Sequence, residues 1–378
     1  MKKIALVGST GSIGRQVINV VNRYPSRFKI VALAANASAR EFERQINAIK
    51  PRYAALADEK AAKSVGEVPA GVNFLSGEDG ALKALKECGA DVIVVACGGF
   101  AGLKYSLEAV ELNIPLALAN KETLVCGGDL VMPKVKEIMP VDSEHSAIWQ
   151  CLGFNRNAEF SRLVITASGG PFCGRKWEEL GGVTAAEALN HPTWKMGAKI
   201  TVDSATLLNK GYEVIEAHHL YNAPYEKISA VIHPQSIVHS LVQFADGATL
   251  AQTSYPTMEL PIQLALTYPE RLDCGLKQLD FSEGFSLDFQ PLARKSYPLY
   301  DLALSCGEAG GVLPTALNAA SEVAVNAFLK GNLRFTDIYT VADKVVQATK
   351  ISRVESYPQL EEADARAREG ALKIIEEV

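Results

Sequence analysis

Two carboxylates two residues apart, Asp142 and Glu144 in the run Pro140-Val141-Asp142-Ser143-Glu144-His145, have the chemistry to converge on one hard cation. The same spacing suits the start of a helix, with Asp142 as its cap and Glu144 in the first turn. A metal centre needs a third acid, and Glu213 in Asn209-Lys210-Gly211-Tyr212-Glu213 is the candidate. Asn209 and Lys210 precede it by four and three residues, so on a helix all three share a face. An ordinary helical ion pair between Lys210 and Glu213 is the competing reading. Ser168, Ser204, Asn209 and Lys210 are hydroxyl, amide and ammonium donors close to glycine turns or helix starts, and such groups suit a dianionic phosphate. Ser204, directly after Asp203, has a plain capping role as its alternative.

A second constellation stands near the N-terminus. The apolar run Lys3 to Val7 leads into Gly8-Ser9-Thr10-Gly11-Ser12-Ile13-Gly14 and then into a helical pattern. Glycines there let the backbone turn tightly and approach a pyrophosphate, which rests on free N–H groups at the helix start. The spacing is GxxGxxG, not the commoner GxGxxG; a glycine-rich strand–helix turn is the competing reading, and the motif's place after the first strand of a βαβ unit favours a dinucleotide site. An NAD site places an acid at the end of the second strand for the ribose hydroxyls. This chain has Ala34 to Ala39 and then Arg40, with no acid before Glu41. Arg40, helped by Ser38, would meet a 2′-phosphate and favour NADP, unless Arg40 is only a solvated helix residue.

These residues need elements to hold them. At 378 residues the chain is expected to form two or three domains. Hydrophobic residues at 48% and charged residues at 21% describe a globular protein with a real core, and no apolar run is long enough to span a bilayer. The net charge of −5 argues against a broad nucleic-acid surface. Seven scattered cysteines with no CxxC pair fit reduced thiols in a cytoplasm. Short apolar runs at Lys3 to Val7, Ile30 to Ala34, Tyr53 to Ala57, Val92 to Ala96 and Pro115 to Leu118 alternate with amphipathic stretches. That alternation predicts an α/β fold opening with a doubly wound Rossmann-type sheet over residues 1–141. From 142 to 264 the pattern predicts an α+β catalytic domain. It would hold a strand ending at Thr166, a helix from Ala205 to His218, and a hairpin around Asp246-Gly247 flanked by Ile237 to Phe244 and Ala248 to Ser254. Its antiparallel strands would support a dimer interface. The polar stretch from about 169 to 199, with Trp177, His191, Trp194 and Met196, is either a flap that expels water or a plain surface loop. His218, His219 and His233 read as structural. Residues 265–292 read as a linker, and 293–378 as a C-terminal helical bundle with helices at Leu313 to Lys330, Phe335 to Thr349 and Gln359 to Glu376.

Taken together, the quoted stretches resemble the 1-deoxy-D-xylulose 5-phosphate reductoisomerases. The resemblance rests on Gly8 to Gly14, Ala119-Asn120-Lys121-Glu122, Pro140 to His145, Ser168-Gly169-Gly170, His191-Pro192 and Val202 to Thr206. Asn209-Lys210-Gly211 with Glu213, and His233 to Ser236 with His239, complete the set. The resemblance implies an NADPH- and metal-dependent enzyme that rearranges 1-deoxy-D-xylulose 5-phosphate, by retro-aldol cleavage and aldol rejoining, and then reduces the aldehyde to 2-C-methyl-D-erythritol 4-phosphate. It further implies that Asp142, Glu144 and Glu213 hold Mg²⁺, Mn²⁺ or Co²⁺, with Lys121 and Ser143 beside the chelated substrate. Asn120, Glu122, Met196 and Gly197 would lie on the nicotinamide side, with Asn36 on the ribose side. Ser168, Ser204, Asn209 and Lys210 would take the phosphate, with His191 and Trp194 on the flap. The chain departs from the family after the second strand, where Asn36-Ala37-Ser38 replaces a Gly-Lys/Arg-Asn element and removes a basic side chain. Two other readings fit parts of the pattern: a sugar-phosphate dehydrogenase without metal, and a dinucleotide-binding regulator without turnover.

Overall fold

Ile4 to Val7 have no polar side chain and are buried, so they favour the middle of a sheet covered on both faces. In the computed structural model, which describes residues 1–378, this run is the central strand β1 (Lys2–Val7). Around it lie β2 (Phe28–Ala35), β3 (Tyr53–Leu56), β4 (Asn73–Ser76), β5 (Val92–Val95), β6 (Leu116–Leu118) and β7 (Ile138–Pro140). All pair in parallel, in the order β4-β3-β2-β1-β5-β6-β7. The strand order reverses between β1 and β5, and ligands of such sheets bind at the carboxyl ends beside that reversal. The five expected strands are present. β4 and β7 escaped because both are edge strands, β4 half-exposed and β7 a three-residue run that ends in Pro140.

The chain divides into two compact units, the first made of residues 1–123, 133–142 and 258–276. The last of these segments corrects the expected linker at 265–292. Helix Glu259–Thr267 packs on helix Ser12–Arg23, and Arg23 meets Glu259 at 2.6 Å while Arg27 meets Glu270 at 2.7 Å. These partners are far apart in sequence, so composition alone reads the segment as polar and unanchored.

The second unit comprises residues 124–132, 143–257 and 277–378. Its sheet contains β8 (Arg162–Ala167), β9 (Ile228–Ile232), β10 (Val238–Gln243), β11 (Thr249–Thr253) and β12 (Gln290–Pro291), in the order β11-β10-β8-β9-β12. β10 and β11 form the expected hairpin, with Gly247 at φ +89° in its turn. The helix expected from Ala205 to His218 is two helices, Ala198–Ala205 and Leu208–Tyr221, separated by Leu207 at φ +56°. Ser204 therefore closes one helix and caps none. The C-terminal helices Pro298–Ala309, Leu313–Leu329, Asp337–Ala348 and Tyr357–Glu377 belong to this same unit and do not stand apart as a separate domain. Only part of the stretch 169–199 is irregular. Phe172, Leu180, Val183 and Ala188 are buried, and short helical turns occupy Trp177–Leu180 and Ala185–Ala188.

Candidate active site

In the first unit, chemistry collects at the carboxyl ends of the parallel strands. Gly8 has φ +84°, and a Cβ there would run into the backbone of Ala96 and Cys97. A Cβ on Gly14 would strike the Gly8 carbonyl, so both positions require glycine. Helix Ser12–Arg23 starts from Gly11 with no side-chain cap, and its first N–H groups remain available to an anion. Ser9 is buried, with its carbonyl accepting from Gln45 Nε2 at 2.9 Å. Asn36, Ser38 and Arg40 are exposed beyond β2. A basic group that the motif reading passed over is Arg15, whose Nη1 donates to the Thr10 carbonyl at 2.7 Å and so leans on the glycine loop. Its signal was its place one residue past the last motif glycine.

Asn120 and Glu122 follow β6 and work as a pair. Asn120, 2% exposed, donates from Nδ2 to the carbonyls of Cys97 and Gly99 and to Glu122 Oε2, and its Oδ1 accepts from Thr123. Glu122 Oε1 accepts from the Gly99 N–H at 3.0 Å. Both residues clamp the turn after β5, which lies at the strand-order reversal. Lys121, between them, points its Nζ at Asp142 Oδ2, 3.0 Å away.

The second unit supplies the remaining groups. Helix Ser143–Cys151 begins directly after Asp142, and Ser143 Oγ donates to Glu144 Oε2 at 2.6 Å. Helix Leu208–Tyr221 presents Asn209, Lys210 and Glu213 on one face, as their spacing requires. Asn209 Nδ2 donates to Glu213 Oε1 at 2.6 Å, while Lys210 Nζ bonds both Glu213 Oε2 and, at 3.0 Å, Glu144 Oε1. Glu213 is 1% exposed. Ser143 separates Asp142 from Glu144 in the chain, and one carboxylate oxygen from each of Asp142, Glu144 and Glu213 lies within 4.8 Å of the others. The helical ion pair and the carboxylate cluster thus coexist. Three carboxylates against the ammonium groups of Lys121 and Lys210 leave one net negative charge. An all-oxygen donor set of this kind fits Mg²⁺ or Mn²⁺.

His191 joins the hydroxyl groups. Its Nε2 lies 3.0 Å from Ser168 Oγ and 3.2 Å from Ser204 Oγ. Its Nδ1 accepts from the backbone N–H groups of Thr193 and Trp194 at 3.1 and 2.9 Å, which places the proton on Nε2. Burial pushes its pKa down, consistent with a neutral ring. Ser168 sits just past β8, before Gly169 and Gly170 at φ +86° and +67°. Met196 is half-buried and Gly197 starts helix Ala198–Ala205.

His239 was not among the expected site residues. It is 4% exposed on β10, its Nε2 is 3.0 Å from Ser254 Oγ, and its ring lies 6.4 Å from that of Trp194. Burial lowers its pKa, and the Glu144 charge opposes that shift. Its signal was its place in the stretch His233 to Ser236 with His239 that carries the family resemblance, though a lone histidine in a strand suggests no role by itself. His218 and His233, read as structural, each donate from Nδ1 to a backbone carbonyl at 2.8 Å, those of Ala223 and Asp288.

Comparison with known proteins identifies the family. Residues 4–128 match the family model of 1-deoxy-D-xylulose 5-phosphate reductoisomerase, residues 138–221 that of its C-terminal domain, and residues 253–370 a further DXP reductoisomerase C-terminal domain. The reductoisomerase of Thermodesulfovibrio yellowstonii is 46% identical over 381 residues, spanning 100% of both chains. That of Desulfitobacterium hafniense is 44% identical over 374 residues, covering 97% of this chain and 98% of the relative. A crystal structure of DOX-P reductoisomerase in complex with NADPH, fosmidomycin and magnesium superposes with TM-score 0.94 at 34% identity, covering 100% of this chain and 98% of the other. The Zymomonas mobilis reductoisomerase in complex with NADPH gives 0.92 at 36% identity, with 100% of both chains covered. The chain belongs to the 1-deoxy-D-xylulose 5-phosphate reductoisomerase family.

Proposed function

We propose that the described residues carry out the family reaction in named roles. The chain is an NADPH- and divalent-metal-dependent oxidoreductase that converts 1-deoxy-D-xylulose 5-phosphate to 2-C-methyl-D-erythritol 4-phosphate, a step in isoprenoid precursor synthesis. The observation that carries the assignment is the three-carboxylate cluster of Asp142, Glu144 and Glu213. These residues hold Mg²⁺, Mn²⁺ or Co²⁺, which when bound supplies Lewis acidity to the ketone and adjacent hydroxyl of the substrate. NADPH supplies the hydride that reduces the rearranged aldehyde.

The chain's own side chains bind, orient and exclude water. Lys121 and Lys210 neutralise the acids and hold them in one arrangement, at 3.0 Å from Asp142 and Glu144. Lys210 and Asn209 lie in the first turn of an uncapped helix, where a phosphate gains both direct donors and the helix N–H groups. Ser168 and Ser204 offer hydroxyls to the same phosphate, and the neutral His191 donates to them from Nε2. Ser143 orients Glu144. Trp194 covers the substrate as part of a flap formed by residues 190–197 and limits water entry. On the dinucleotide side, Gly8 to Gly14 receive the pyrophosphate, Asn36, Ser38 and Arg40 the adenosine ribose, and Met196 and Gly197 the nicotinamide. Asn120 and Glu122 shape the nicotinamide side through the turn that they clamp.

The enzyme is a cytoplasmic homodimer in this reading. Its cysteines form no disulfide, which suits a reducing compartment. No helix is long and apolar enough to cross a membrane. Strand β11 is a mostly exposed edge of its sheet with Leu250 49% exposed, and a second copy would cover it. Incubation with 1-deoxy-D-xylulose 5-phosphate, NADPH and Mn²⁺, with identification of the product, tests the function. The expected product is 2-C-methyl-D-erythritol 4-phosphate; NADPH consumption without a rearranged skeleton, or turnover indifferent to chelators, would refute it.

A further inference from the structure

From β8 through helix Ala198–Ala205 the chain is tied to the C-terminal segment at two places; of the residues 178–198 between the ties, Leu180, Val183 and Ala188 are buried, and 190–197 carry no helix or strand. The first tie is aromatic. Phe172 meets Phe335 edge-to-face with ring centroids 5.3 Å apart, and Trp177 lies 5.6 Å from Phe335 and 6.4 Å from Tyr339. Phe335 is fully buried and also touches Phe328 at 5.5 Å. The second tie is polar. Lys199 Nζ donates to Asp203 Oδ2 at 2.5 Å and to Ser321 Oγ at 3.2 Å, across to helix Leu313–Leu329. Ser321 Oγ also lies 3.2 Å from the hydroxyl of Tyr212 and donates to the Asn318 carbonyl at 3.1 Å, so its one donor and both lone pairs are used. Tyr212 stands on the same helix as Asn209, Lys210 and Glu213, and Lys199 on the same helix as Ser204.

We propose that Trp177 and Ser321 are positioning residues for substrate capture, fixing the two roots of the flap so that only residues 190–197 are ordered on closing. This rests on the flap reading of His191 and Trp194. The C-terminal helices, to which no chemistry is otherwise assigned, thereby act as the frame on which the flap is mounted. Each residue released from that frame would add its own ordering cost to every capture event.

The test uses the full-length enzyme with Mn²⁺ and NADPH. Trp177→Leu removes the ring, and Trp177→Phe keeps one. Trp177→Leu should raise KM for the sugar phosphate about five- to tenfold, from lost ring contacts and a longer strap, with kcat at saturation changed by less than about twofold. Trp177→Phe should return KM to within about twofold of the native value, since a ring still packs. NADPH affinity and the Mn²⁺ concentration for half-activation should not move. Ser321→Ala should act in the same direction, and it carries the test if Trp177→Leu fails to fold. A native KM in these variants while Trp194→Ala raises it would overturn the anchoring proposal and leave the flap intact. A native KM in Trp194→Ala as well would overturn the flap reading itself. An equal rise in KM for NADPH would mean general loosening and would also overturn the proposal.

Discussion

Glu213 has two kinds of partner, and they pull the consequences of its loss apart. It accepts from Asn209 and Lys210 on its own helix, and it shares a cluster with Asp142 and Glu144. Glu213→Gln keeps the volume and an acceptor oxygen but removes the charge. Lys210 retains Glu144 at 3.0 Å, so no buried cation is left unpaired. Metal affinity should fall about ten- to a hundredfold, with turnover falling alongside, because one of three anionic donors is weakened. NADPH affinity should persist. Titrating Mn²⁺ against activity decides the matter; an unshifted dependence would show that Glu213 serves only the helical pair. The melting temperature is a poor guide here, since both roles predict some change. At the dinucleotide site the same residue-level logic applies to Arg40, which is exposed beyond β2. Arg40→Glu should weaken NADPH and narrow the preference over NADH through repulsion of the 2′-phosphate. Unchanged NADPH binding by fluorescence titration would move the discrimination elsewhere, with Arg15 beside the glycine loop as the next basic group to change.

At the scale of elements, helix Leu208–Tyr221 carries the proposed site residues at one end and a buried titratable group at the other. Near its C-terminus His219 is packed against Gly128, and burial with the neighbouring His218 depresses its pKa to about 4, which Asp129 only partly offsets. The folded state therefore resists protonation more than the unfolded state does. Above pH 6.5 both states carry the neutral ring and the packing is fully effective. As pH falls from 6.5 towards 4 the unfolded chain takes up the proton first, and stability declines by up to about 1.4 kcal/mol per pH unit. His219→Gln should flatten that part of the profile. Chemical denaturation at pH 7 and pH 5 checks this: equal slopes in the native and variant proteins would remove His219 as the cause. The break at Leu207 matters at the same scale. It turns the chain between Ser204 and Asn209, so that two helices, and not one, present donors.

For the whole molecule, the exposed edge strand β11 is where the proposed homodimer would form. Leu250→Lys places a charge on that edge and should shift the assembly towards monomer in sedimentation experiments, with the fold retained. A native sedimentation profile in this variant would show that β11 is not an interface between copies.

The sequence alone was enough for whatever depends on local periodicity and backbone chemistry. Buried parallel strands read as uninterrupted apolar runs, and Gly8 and Gly14 are glycines because any Cβ would strike backbone. The shared face of Asn209, Lys210 and Glu213 followed from helical spacing, and the family resemblance supplied their partners across the chain. Tertiary structure decided what spacing cannot encode. It placed residues 258–276 with the first sheet, through ion pairs between residues more than two hundred positions apart. It showed that part of the stretch 169–199, expected as a flap or a surface loop, is packed, because Phe172 and Trp177 find Phe335 in the turn before helix Asp337–Ala348, far along the chain. It also assigned Asn120 to a turn, since a buried amide must spend its donors on whichever carbonyls the fold brings near.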